Sequence, residues 1–172
     1  MKRSFAALDP QQALHVAVII EERNAELYRR FSEMFLEFGD RQSLEIADVF
    51  WEMAIEEGGH SSLLQSKYAQ QYGNLVCIIT EEDLVEFIEV PKLEEGDLFA
   101  GDADNRPNAR EHALQVALKA EVSAHLLYAN LAESTPPGPL LRIYQDLAQM
   151  EGSHVAFLEG KLERDPATDN IH

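Results

Sequence analysis

Glu57-Gly58-Gly59-His60 and Glu151-Gly152-Ser153-His154 stand 94 positions apart, each within a stretch of helical periodicity. A spacing of three is just under one helical turn, so carboxylate and imidazole share a face in both copies. Each pair follows another amphipathic segment with a glutamate in the middle of its apolar stripe. Glu21 lies among Leu14, Ala17, Val18, Ala25 and Tyr28, and Glu121 among Leu114, Ala117, Leu118, Ala124 and Tyr128. Glu22 has His15, Glu26 and Arg29 as its helical neighbours and belongs on a wet flank. Four inward carboxylates need a counter-charge, because a buried unpaired carboxylate is far costlier than the fold can absorb. Two divalent cations supply it: four glutamates, two neutral imidazoles and two doubly charged ions sum to zero. The chemistry this pattern allows is a carboxylate-bridged two-metal centre held by Glu21, Glu57, His60, Glu121, Glu151 and His154. The alternative is a metal-free buried polar network.

The elements that must position these residues come from an internal repeat. Residues 13–31 and 113–131 agree at seven of nineteen positions, Glu21/Glu121 and Tyr28/Tyr128 among them. Residues 50–67 and 144–161 agree at Ala54, Glu57, Gly58, His60, Leu64 and Lys67, which pair with Ala148, Glu151, Gly152, His154, Leu158 and Lys161. The chain therefore reads as two related helical hairpins. Asp9 before Pro10 is a helix start, and Gly39-Asp40 a turn. Gly73 stops a second helix, and Pro136-Pro137-Gly138-Pro139 separates two more. The spacing predicts helices over about 10–38, 41–72, 108–132 and 139–163, in a single domain, with Asn108 and Glu111 as a capping box for the third. At about 1.5 Å per residue, Glu21 and Glu57 both stand about 25 Å from their shared turn, and Glu121 and Glu151 stand about 16 and 18 Å from theirs. Each pair meets at one height.

At these residues the sequence resembles the rubrerythrin-like branch of the ferritin-like di-iron proteins. The matching positions are Glu21 with Tyr28, Glu57-x-x-His60, Glu121-x-x-Ala124-x-x-x-Tyr128 and Glu151-x-x-His154, and the likeness runs from about Gln11 to Lys161. It implies an all-α fold: a ferritin-like antiparallel four-helix bundle, with the stretch 73–107 as the one long crossover between the second and third helices. It also implies two irons reacting with dioxygen or hydrogen peroxide. Two departures stand out. Many rubrerythrins carry a further ligand glutamate where this chain has Ala124, and many carry a rubredoxin module with paired cysteines, whereas this chain has only Cys77.

The leading expectation is thus a di-iron oxidoreductase reducing hydrogen peroxide or dioxygen. Glu57 and Glu151 bridge, Glu21 and Glu121 are terminal carboxylates, and His60 and His154 are terminal nitrogen ligands. Electrons come from an external donor such as a rubredoxin-like protein or a flavin reductase. A ferroxidase or iron-storage protein is the alternative, and an organic-substrate oxidase a third. Hard carboxylates with two imidazoles would also suit manganese or zinc. Tyr28 and Tyr128 either donate hydrogen bonds across the bundle to the opposite carboxylate or are plain core aromatics. His125, four residues after Glu121, is either a packed histidine or a seventh ligand. Glu56 faces outward or supports a ligand, Trp51 packs, and His15, His112 and His172 read as surface residues.

A formal charge of −17 repels phosphate backbones and anionic lipid, so neither nucleic acid nor a membrane is an expected partner. No apolar run is long enough to span a bilayer, and Met1-Lys2-Arg3 opens no secretion signal, so a cytoplasmic protein is expected. Lone Cys77 excludes an intrachain disulfide and any four-thiolate iron site, and reads as a small buried hydrophobe. Val76, Ile78, Ile79, Phe87 and Ile88 make the crossover apolar and are expected to be packed. It is expected to cover the bundle or to lie on a second copy in a homodimer.

Overall fold

A computed structural model describes residues 4–76, 78–88, 90–93, 97–100 and 104–164. Every regular element among the described residues is a helix, and none is a strand. A short 3₁₀ turn at Phe5–Ala7 leads into α1 (Pro10–Phe38) and α2 (Arg41–Tyr72), then the one-turn helices α3 (Glu81–Leu84) and α4 (Asp97–Ala100), then α5 (Arg106–Ser134) and α6 (Pro139–Arg164). The expectations for Cys77 and His172, and for much of the stretch from 94 to 103, fall outside the described residues.

Local chemistry sets most of these ends. Asp9 accepts the Gln12 amide at 2.8 Å while Gln12 Oε1 accepts the Asp9 amide at 3.0 Å, a reciprocal cap ahead of Pro10. Gly39 closes α1 at φ 71°, a left-handed conformation that a Cβ would strain. Asp40 then caps α2 through the Ser43 amide at 3.0 Å, and Arg106 at the start of α5 donates to it at 2.8 Å. α5 begins at Arg106, ahead of Asn108, because Asn105 accepts the Asn108 amide and Pro107 sits in the first turn.

The hydroxyl and amide of Ser43, with Arg106 behind them, hold the Asp40 carboxyl down at about 2, from the usual 3.8. A depressed acid stabilises the fold in full above its unfolded value and loses that contribution as pH falls through the folded one. Asp40→Ala should therefore cost about 0.5–2 kcal/mol in urea unfolding at neutral pH. The gap to the parent chain should narrow as pH falls from 3.8 toward 2.

α1 packs along α2, and α5 along α6, each pair joined by a short turn and so running in opposite directions. Residues 13–21 of α1 are buried without a break, which needs cover on every side of that helix. Part of that cover is the crossover. Ile79, Leu84, Phe87 and Ile88 join the core cluster of α1, and Arg23 and Arg30 donate to the Pro91 and Leu93 carbonyls at 2.7 and 2.6 Å. Arg30 also lies 3.7 Å over the Phe99 ring. Val76 and Ile78, expected to be packed, are instead exposed, because they precede the point where the crossover meets α1 at Ile79. His15 is buried, contrary to its surface expectation, because the crossover folds over it and the Ile79 amide donates to its Nδ1 at 3.3 Å. Trp51 is 51 % exposed on the outer side of α2, so it is not the packed residue that its type suggested.

The core falls into two apolar clusters. One gathers Ala13, Leu14 and residues 16–20 with Leu64, Tyr68, Leu127, Leu131, Tyr144 and Leu147. The other gathers Leu27, Phe31, Phe35, Phe50, Met53, Leu114, Ala117 and Leu158. In each long helix, the glutamate of the sequence motif lies between the residues given to one cluster and those given to the other. Among the described residues, no helix is long and apolar enough to cross a membrane.

Candidate metal centre

Between the two clusters, Glu21 from α1, Glu57 and His60 from α2, Glu121 from α5, and Glu151 and His154 from α6 converge. All four carboxylates are fully buried, with His60 6 % exposed and His154 partly buried. Their ligating atoms fall into two overlapping groups: Glu21, Glu57, His60 and Glu151, and Glu57, Glu121, Glu151 and His154. Within each group the atoms lie within 4.8 Å of one another. Glu57 and Glu151 belong to both groups, so each can face two cations at once. Glu21 and Glu121 belong to one each.

The imidazoles present Nδ1 to the cluster. His60 Nδ1 stands 3.2 Å from Glu151 Oε1, 3.3 Å from Glu21 Oε2 and 3.7 Å from Glu57 Oε2. His154 Nδ1 stands 3.2 Å from Glu121 Oε2, 3.4 Å from Glu57 Oε1 and 3.5 Å from Glu151 Oε2. The two rings lie nearly parallel with centroids 6.4 Å apart.

Two hydrogen bonds knit the hairpins together across the cluster. Tyr28 donates to Glu121 Oε1, and Tyr128 donates to Glu21 Oε1. Both phenols are completely buried. Burial and the neighbouring carboxylates raise both pKa values well above the usual range, so the phenols stay protonated and act as donors. Of the two roles open from sequence, the structure shows the cross-bundle donor. The outer two glutamates are thereby oriented, while the shared pair is left differently placed. Among the described residues, both oxygens of Glu57, both oxygens of Glu151 and Nε2 of His60 are buried without a hydrogen-bond partner of good geometry. Four orphaned carboxylate oxygens in a buried layer are costly unless another group ligates them. That donor set, hard oxygens with two imidazole nitrogens, fits a divalent transition-metal ion.

The proton arrangement without metal follows from the same crowding. Burial first, and then the charge of Glu57, raises the Glu21 pKa well above the carboxylate range; burial and Glu151 do the same to Glu121. Burial also pushes upward on Glu57 and Glu151, but protons on the neighbouring glutamates and imidazoles outweigh it and hold both below the usual value. Desolvation opposes a charged His60, yet Glu151, Glu21 and Glu57 push its pKa up to about 12. The carboxylates around His154 raise it likewise. Two neutral acids, two carboxylates and two imidazolium ions give the metal-free cluster a net charge near zero.

His125 is not part of the cluster. Its Nδ1 lies 2.7 Å from the Ala148 carbonyl on α6, and a Cβ at Gly152 would come within 3.3 Å of its ring. It therefore packs the α5–α6 hairpin together over a glycine. Glu56, whose role the sequence left open, meets His154 Nε2 at 2.6 Å. No sequence signal distinguishes Glu56 from the other acids on the wet side of α2. His112 is exposed.

No protein-family model and no curated protein matches this chain. Among solved structures, a hypothetical protein from Pyrococcus furiosus superposes with a TM-score of 0.74 at 22 % identity, over 94 % of this chain and 92 % of that one. At that identity the likeness is one of fold. Fold and site together define an all-helical protein with a buried carboxylate–histidine cluster that could hold metal.

Proposed function

We propose that this chain belongs to the rubrerythrin-like branch of the ferritin-like di-iron proteins. In this reading it is an oxidoreductase that reduces hydrogen peroxide or dioxygen to water with electrons from an external donor. The observation that carries the proposal is the pair of overlapping four-residue groups sharing Glu57 and Glu151, whose buried oxygens have no hydrogen-bond partner of good geometry among the described residues. Two iron ions bound there would supply two electrons at adjacent centres, which matches the two-electron reduction of peroxide.

The residues of the chain have separable tasks. With metal bound, Glu57 and Glu151 would serve both positions and Glu21 and Glu121 one each, anchored by Tyr128 and Tyr28, while His60 and His154, having lost a proton, would offer Nδ1 as neutral donors. The apolar clusters on either side exclude bulk water and strengthen every charge interaction within the layer. With one cysteine, the chain cannot build a four-thiolate iron site of its own. A separate rubredoxin-like protein or flavin reductase is the fitting donor class. Manganese or zinc would suit the same ligands.

The test is rapid mixing of the anaerobic, iron-loaded protein with hydrogen peroxide. Ferrous ion in the parent chain should be oxidised on the order of a hundredfold faster or more than the same amount of ferrous ion mixed with Glu57→Ala, which lacks a ligand of both positions. Superimposable traces would remove the proposal. Iron uptake well beyond two ions per chain would point to storage instead.

A further inference from the structure

The two histidines of the cluster are held differently. Each turns Nδ1 inward, so each must carry its proton on Nε2 to offer Nδ1 as a lone pair, and the partner of Nε2–H then decides how firmly tautomer and ring orientation are set. His154 Nε2 has one: Glu56 Oε2 at 2.6 Å. His60 Nε2 is buried and has none among the described residues. The internal repeat explains the difference, because position 56 of the first hairpin corresponds to position 150 of the second, where Met150 stands. A thioether is at best a weak acceptor. The buried Nε2–H of His60 thus goes unsatisfied, a cost that a correctly oriented His60 carries and His154 avoids.

The geometry points to Glu56 as a positioning residue that makes the two metal positions unequal. The group Glu57, Glu121, Glu151 and His154 takes the first divalent cation, and the group around His60 takes the second more weakly. This inference rests on the metal-binding reading above. Glu56 is not itself a ligand; it acts through His154. Its side chain is 52 % exposed, so its removal leaves the core packing untouched.

Titrating the metal-free chain with Co²⁺, followed by calorimetry and by ligand-field absorption, tests it. Two resolved steps are expected. Glu56→Ala should weaken the first step by about 10–100-fold, bringing it toward the second, which stays in place. Glu56→Gln keeps a carbonyl acceptor and should recover part of the loss. Thermal melts of the metal-free variants report separately on folding. Two equal steps in the parent chain, or equal weakening of both steps by Glu56→Ala, would overturn the inference while leaving the metal site standing. No Co²⁺ uptake at all would overturn the metal-binding reading itself.

Discussion

Replacing Glu57 with glutamine is expected to abolish the binding of both divalent ions, whereas Glu21→Gln and Glu121→Gln should each lose one. The asymmetry follows from membership: Glu57 belongs to both ligand groups, and each outer glutamate to one. Glutamine keeps the volume of the side chain and removes only the charge and one oxygen acceptor. A ligand present at a hundred times its dissociation constant stabilises a fold by about 2.7 kcal/mol per site. Two ions therefore contribute roughly 5 kcal/mol, which in a chain of 172 residues raises Tm by roughly 10–20 °C. Calorimetric melts with and without Mn²⁺ should show that rise in the parent chain and about half of it in Glu21→Gln. Glu57→Gln should show almost none, with elemental analysis giving two, one and no ions in the same order. A Glu57→Gln protein that still holds one ion tightly would contradict the shared-ligand geometry.

Binding of two ions is expected to release about four protons, and to weaken by about 100-fold per ion for each unit of acidification. Without metal, the protons sit on His60, His154, Glu21 and Glu121, whose pKa values are all raised by burial or by the crowded carboxylates. A cation requires those positions deprotonated, so protons compete with it and low pH favours the metal-free state. Each displaced proton contributes a factor of about ten in affinity per pH unit. The window is set by His60, raised to about 12 from 6.5, so the dependence persists through neutral pH. Imidazoles and carboxyls at their ordinary values of 6.5 and 4.5 would instead leave affinity flat above about pH 7.5. Calorimetry in buffers of different ionisation enthalpy counts the protons directly. Flat affinity between about pH 7.5 and 9, with no buffer dependence, would show that the cluster does not share its protons in this way.

Much of the cluster is legible in the sequence. Glu21 and Glu121 stand out as carboxylates in the middle of apolar stripes, and Glu57/His60 and Glu151/His154 as a repeated pair whose spacing keeps both groups on one face. Helical periodicity is a local property, so it identifies the face on which a residue lies. The helical class and the Asp9 and Gly39 boundaries are local in the same sense, being decided by capping and by the conformational freedom of glycine. The start of α5 was less legible: Asn108 with Glu111 suggested a capping box, whereas the Asn105 side chain accepts the Asn108 amide and Pro107 takes the first turn.

What a face meets is a tertiary matter. Tyr28 and core aromatics such as Phe31 look alike from one helix; only the docking of one hairpin on the other brings Tyr28 to Glu121 and Tyr128 to Glu21. His125 shares a helical face with Glu121, yet the α5–α6 packing turns its ring toward Ala148. His15 is buried because distant Ile79 folds over it, and Trp51 is exposed because none of the described elements covers that side of α2. Glu56 is one acid among many on a solvated face until α6 brings His154 to it. The sequence by itself determined which groups lie on the inner faces. Tertiary structure alone decided their partners, because hydrogen bonds and charge interactions depend on distances of a few ångströms between segments that the chain holds tens of residues apart.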